Sequence, residues 1–284
     1  MRKVYVNGRI VPEPEAKISV FDRGFLFADG VYEVVAVLGG KLIDYDGHVR
    51  RLKRSLDELD LRAPLDDDAL LDAIRSVVGE NALAEGMVYL QITRGVADRD
   101  FAYPGDDVAP SLVMFTQTKA LIDNPAAKTG IRVVTVPDLR WRRRDIKTVQ
   151  LLYPSMAKME AKSRGADDAW MVEDGMVTEG TSNNAYIVTA DGTIVTRGLS
   201  HSILSGITRA AILDVARETG MRLDERPFSV EEALAASEAF ITSASAFVMP
   251  VVQLDGQAIG AGGVGPVAAR LREIYIGACM KSAM

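Results

Sequence analysis

Two ionisable side chains hold most of the chemical information in this 284-residue chain. One is Lys147, in the run Asp145, Ile146, Lys147; the other is Glu179, in the run Val177, Thr178, Glu179, Gly180, Thr181, Ser182, Asn183, Asn184. A lysine amine near a polar strand end can form a Schiff base with an aldehyde cofactor, provided that part of it is neutral at working pH. A carboxylate set against the nitrogen of the cofactor's ring would hold that nitrogen protonated and keep the ring electron-withdrawing. Spacing alone gives the pair no weight, because most lysines and glutamates at any separation are surface charges.

The ordered motifs around the pair supply the weight. Phe21, Asp22, Arg23, Gly24 precede Asp29, Gly30, Val31, Tyr32, Glu33, Val34; then come His48 with Arg51 and Leu52, the lysine and glutamate segments, and Gly206, Ile207, Thr208, Arg209. On these motifs the chain, from about Val4 to its C-terminal helix, resembles the fold-type IV (class IV) aminotransferases, and among them the D-amino acid aminotransferases above all.

The resemblance implies pyridoxal 5'-phosphate as cofactor, with Lys147 as Schiff-base lysine and proton shuttle and Glu179 at the ring nitrogen. It implies a phosphate cradle made by Arg51, the N–H of Ile207 and the hydroxyl of Thr208 behind Gly206, with further contacts from Ser243 and Ala244. The D-amino acid enzymes carry threonine where Ala244 stands, so one hydroxyl donor is lost unless Ser245 replaces it. Ser182 and Asn183 fall beside the ring and Leu204 on its face. Tyr32 and Arg99 match a substrate carboxylate trap in which the arginine reaches across from the neighbouring subunit, with Val34 and Phe101 alongside. The family usually has histidine where Phe101 stands, and a phenyl ring cannot donate to a carboxylate. Taken singly, Arg51 reads as a surface arginine on an amphipathic helix, Thr208 as an ordinary first-turn residue, and Ser182 and Asn183 as turn formers. Arg94 competes with Arg99 for the carboxylate, from a strand position of the other parity.

The expected activity is ping-pong transamination between an amino acid, D-alanine for example, and a 2-oxo acid such as 2-oxoglutarate. Branched-chain L-amino acid aminotransferases and aminodeoxychorismate lyase share the lysine and glutamate, so both stay open beside it. So does a cofactor-binding protein without turnover.

Composition narrows the field. With 48% hydrophobic residues the chain can build two domains without staples. One cysteine, Cys279, excludes an internal disulfide, and two histidines, His48 and His201, leave little for a structural metal site. A net charge of −6 argues against broad nucleic-acid binding. The run Arg140, Trp141, Arg142, Arg143, Arg144 reads as a solvated face or subunit contact, or as a lure for anionic ligands. No apolar stretch reaches membrane-spanning length, so a cytoplasmic protein is expected.

The elements that must position these residues alternate between strand and helix. Val4 and Val6, Asn7 and Gly8, then Ile10 and Val11 predict a hairpin. Strands are expected at 31–37, 41–43, 87–93, 111–118, 131–136, 169–172, 185–189 and 239–243. Helices are expected from an Asp46 cap onward, and at 66–78, 152–164, 207–219, 230–236 and 264–281. The polar, proline-containing segment 119–128 suggests a boundary, giving an N-terminal α+β domain of residues 1–121 and a larger, mixed α/β cofactor-binding domain of residues 122–284. The family resemblance adds a homodimer whose sites are completed across the interface.

Overall fold

A computed structural model describes residues 1–284 as a mixed α/β chain in two units. The first unit contains Met1–Ala120, Ile146–Gln150 and Ser282–Met284, and the second Leu121–Asp145 and Leu151–Lys281. No helix is long and apolar enough to cross a membrane.

In the first unit, β1 (Lys3–Val6) and β2 (Arg9–Pro12) are joined by Asn7 and Gly8 at φ 46° and 87°, angles that these two residue types tolerate best. A short α1 (Arg23–Phe27) follows, capped by the side chain of Asp22. β3 (Gly30–Leu38) is rich in β-branched residues and turns through Gly39 and Gly40 into β4 (Lys41–Leu42). Then come α2 (Tyr45–Asp57), α3 (Asp67–Glu80), β5 (Glu85–Thr93) and β6 (Ser111–Thr118). The carboxylate of Asp66 accepts from the N–H of Ala69 and starts α3. At α2 the cap position is Asp44, not Asp46, which lies inside the first turn. The strands form one antiparallel sheet in the order β2-β1-β6-β5-β3-β4. Val31, Val35 and Val37 face a core shared with Leu52, Leu56, Leu70, Ile74 and Val77 of the two longer helices. The period-2 alternation therefore leaves Tyr32 and Val34 on the opposite face, where both are half-buried.

Ile146–Gln150 returns to this sheet long after β6, which a single boundary near residue 122 does not anticipate. The return is backbone-driven: Tyr32 N–H donates to the Lys147 carbonyl at 3.0 Å and Val149 N–H to the Gly30 carbonyl at 3.1 Å. Ile146 seals it by joining the core.

The second unit contains α4 (Pro125–Thr129), β7 (Ile131–Pro137), α5 (Leu152–Ser163), β8 (Asp168–Glu173), β9 (Met176–Gly180), β10 (Asn184–Val188) and β11 (Ile194–Thr196). It continues with α6 (Ile207–Glu218), β12 (Leu223–Glu225), α7 (Val230–Leu234), β13 (Glu238–Ser243), β14 (Phe247–Leu254), β15 (Gln257–Ala258) and α8 (Pro266–Ser282). Its mixed sheet runs β12-β11-β10-β13-β14-β7-β8-β9, with β15 beside β14 and with parallel pairs at β7/β8, β7/β14 and β11/β12. Ala157 and Ala161 of α5 pack closely on Val134, Val136, Ala169 and Met171.

Because Ile146 is the apolar anchor of the returning segment, Ile146→Ala should lower unfolding stability by roughly 2–4 kcal/mol, read from denaturant titrations.

Candidate active site

The inward face of β3 carries one acidic residue among its valines. Glu33 is buried, and it meets two residues spaced three apart on one face of α2. Arg51 forks onto it, Nε to Oε1 and Nη2 to Oε2, both at 2.7 Å. His48 Nδ1 lies 2.7 Å from Oε2, a contact that requires the proton on that nitrogen, since an ionised carboxylate only accepts. Burial alone would raise the Glu33 carboxyl; the Arg51 charge and the bonds from Arg51 and His48 outweigh it and hold the group well below the usual carboxylate range.

On the other face, the Lys147 amine stands 4.2 Å from the centre of the Tyr32 ring. Tyr32 stacks on Tyr89 and Tyr89 on Phe115, with ring centres 5.5 and 4.8 Å apart. The Lys147 N–H donates to the Ser55 hydroxyl at 3.3 Å, so main chain rather than side chain fixes the lysine's place. Arg94, the competitor for a carboxylate, is fully engaged. It is buried, bonded to Asp29 and to the carbonyls of Leu59 and Asp60, and stacked on Tyr103. Arg99 is exposed and lies over the rings of Phe27 and Phe101, and Phe101 is itself 80% exposed.

In the second unit Glu179 sits on β9, buried. Arg140 Nη1 donates to its Oε1 at 2.6 Å; Asn184 Nδ2 and the Leu204 N–H donate to Oε2 at 3.0 and 3.1 Å. Burial pushes the Glu179 carboxyl above its ordinary value against the pull of Arg140. The remaining Arg140 donors fork onto Asp138 at 2.9 and 2.7 Å. Asp138 also accepts from the Thr178 hydroxyl and faces Arg144, which forks onto Glu173. The arginine run is therefore not a solvated face. Trp141 and Arg142 are exposed, whereas Arg140 and Arg144 turn inward into a chain of alternating charge.

Asn184 also donates to the Leu204 carbonyl at 3.0 Å, tying Glu179 to the loop that leads into α6. A methyl at Gly206 would overlap the Asn184 amide oxygen, so glycine there follows from Asn184. No side chain caps α6 at Gly206, which leaves the first N–H groups of the helix, with Ile207 and Thr208, at its positive end. Ser182 is exposed, while Asn183 turns its amide onto Asp168 beside Thr181. Ser243 ends β13, and Ala244 and Ser245 lie in the loop that returns through Phe247. The sequence reading missed Asp138 and did not foresee that Arg140 and Asn184 bond to Glu179. The available signal was the density of arginine and aspartate just before Lys147.

Within the second unit, Glu179 and the start of α6 suit a phosphorylated nitrogen heterocycle. A carboxylate offers about four lone-pair positions, and Glu179 has three donors, leaving room for one ring N–H. An uncapped helix start suits a phosphate.

The sequence profile described as amino-transferase class IV matches residues 30–254. The chain belongs to the class IV aminotransferase family. Its cofactor is accordingly pyridoxal phosphate. Among relatives of this family, the D-alanine aminotransferase of Staphylococcus aureus is 38% identical over 96% of both chains. The branched-chain amino acid aminotransferase of Escherichia coli shares the fold, with a TM-score of 0.89 and 24% identity over 98% of this chain and 94% of that one. The branched-chain aminotransferase of the thermophilic archaeon Thermoproteus uzoniensis, solved with norvaline, has a TM-score of 0.85 and 28% identity over 99% of this chain and 95% of that one.

Glu33 should contribute stability that is full from about pH 5 upward and is lost progressively as the pH falls through the ordinary carboxyl value of about 4.3 and below, because its folded-state proton affinity lies under the unfolded one. Glu33→Gln should cost about 3–5 kcal/mol at neutral pH, and its gap to the wild type should narrow from about pH 5 toward about pH 3, measured by urea unfolding.

Proposed function

We propose that the chain transfers the amino group of a D-amino acid, D-alanine being the model donor, to a 2-oxo acid such as 2-oxoglutarate. The identity to D-alanine aminotransferases along nearly the whole chain carries this reading, since the branched-chain neighbours share less sequence. Tyr32, on the open face of the first unit's sheet beside Lys147, supports it as a hydroxyl donor for a substrate carboxylate.

When bound, pyridoxal phosphate supplies a carbonyl carbon that takes up nitrogen and a ring that withdraws electrons from the bond being broken. Arg51, the N–H of Ile207 and the hydroxyl of Thr208 would hold the phosphate, with Ser243 and Ala244 at its rim. Leu204 would pack on the ring, with Ser182 and Asn183 beside it. Glu179 keeps a proton at the ring nitrogen. Lys147 would be the amine that holds the cofactor covalently, and its Nζ would take the proton from the donor's α-carbon and later return one. Arg99, Tyr32, Val34 and Phe101 form the substrate end, Arg99 and Phe101 coming from the neighbouring subunit of a homodimer. Exposed Val20, Phe21, Phe25 and Phe101 on the first unit support such an assembly. The single, buried cysteine, Cys279, suits the reducing cytoplasm.

Phe101 favours a second reading. With an apolar ring where D-amino acid enzymes carry histidine, the branched-chain L-amino acids become the alternative donors.

Lys147→Ala should lose the visible cofactor absorbance and turnover together, and retained turnover would remove the lysine from its role. Separate incubations of the wild type with D-alanine, L-leucine and aminodeoxychorismate, followed by oxo acid release and by the visible spectrum, should show D-alanine reacting fastest. Faster reaction with L-leucine would install the second reading.

A further inference from the structure

Glu179 and Asp138 share one guanidinium. Arg140 gives a two-bond fork to Asp138 and a single Nη1 bond of 2.6 Å to Glu179. The fork immobilises the guanidinium plane, and Asp138 is in turn held by the Thr178 hydroxyl and by Arg144. Arg144 is itself committed to Glu173 at the solvent edge. The charged groups behind Glu179 are thus Arg140, Asp138, Arg144 and Glu173, and Arg140 alone among the cations touches it.

A buried carboxylate bonded to a ring N–H has two electrostatic forms. In one, the proton is on the nitrogen and both partners are charged. In the other, it has crossed to the carboxylate and both are neutral. Low-dielectric surroundings favour the neutral form, and a cation bonded to the carboxylate favours the charged one. Only the charged form gives a strongly electron-withdrawing ring.

We propose that Arg140, clamped by Asp138, is the positioning residue that keeps the shared proton on the cofactor's ring nitrogen rather than on Glu179. This rests on the reading that Glu179 faces that nitrogen. The bookkeeping is a single proton: without Arg140 it moves from nitrogen to a Glu179 oxygen, and no other bond changes. The displacement of Glu179 toward the protonated form by burial, resisted by Arg140, is in accord with this. Leu204 and Asn184 also donate to Glu179 but carry no charge, so they aim the carboxylate without deciding where the proton sits.

The test uses the full-length holoenzyme reconstituted with cofactor labelled with nitrogen-15 in the ring, comparing wild type, Arg140→Gln, Arg140→Lys and Glu179→Gln by NMR. Wild type should show a pyridinium resonance and Arg140→Gln a resonance shifted toward neutral pyridine. Arg140→Lys, which keeps a cation but loses the fork, should restore most of the pyridinium position. An unshifted resonance in Arg140→Gln, with Glu179→Gln shifted, would overturn the role of Arg140 alone. A resonance unmoved by Glu179→Gln would instead overturn the placement of Glu179. Should Arg140→Gln bind no cofactor or fold poorly, Arg140→Met takes its place and infrared spectra of the cofactor-free proteins decide. The band of the protonated Glu179 carboxyl, assigned by its absence in Glu179→Gln, should persist to higher pH in the variant without a cation than in wild type, with Arg140→Lys close to wild type. An unchanged titration in the variant without a cation would overturn the proposal.

Discussion

A carboxylate taken out of water must be met by a cation and by enough donors to replace its hydration, because the penalty otherwise reaches several kcal/mol. That requirement organises both units. In the first, Glu33 sits on the valine face of β3, and α2 must therefore present His48 and Arg51 together. In the second, Glu179 on β9 draws in Arg140, Asn184 and the start of the loop before α6. Much of what surrounds these two acids exists to complete them. Asp138 and Thr178 hold the arginine, Asn184 ties β10 to the loop, and the bare Cα of Gly206 makes room for Asn184.

The same logic separates structural from chemical arginines. Arg94 and Arg23 both bond to Asp29, and Arg94 adds two carbonyls and an aromatic ring. Asp22, the cap of α1, accepts from the Thr93 and Ser111 hydroxyls. The motif around Asp22 and Arg23 thus braces the ends of β5 and β6. Arg99, in contrast, rests on aromatic faces at the exposed surface.

Regular patterns were legible in the sequence. The hairpin at Asn7 and Gly8, β6 at 111–118, α5 and α6 lie within a residue or two of their expected bounds, because turn chemistry and apolar period agree there. β9 was not foreseen, since Val177, Thr178, Glu179 and Gly180 lack any alternation of apolar and polar residues. Pro250 masked β14, and charge density made Arg140 look like surface. In each case long-range partners, not local preference, set the outcome. Motif order pointed to Lys147 and Glu179, but the residues that hold them, Ser55, Tyr32, Arg140 and Asn184, are scattered along the chain and carry no common local signature.

The late return of Ile146–Gln150 to the first sheet bears on biosynthesis. A ribosome that has released only Met1–Ala120 has yet to supply the strand-like piece that Gly30 and Tyr32 bond, and the core lacks Ile146. The nascent sheet must wait with an open seam until Leu121–Gln150 has emerged as well, which favours slow maturation and gives chaperones a natural point of engagement.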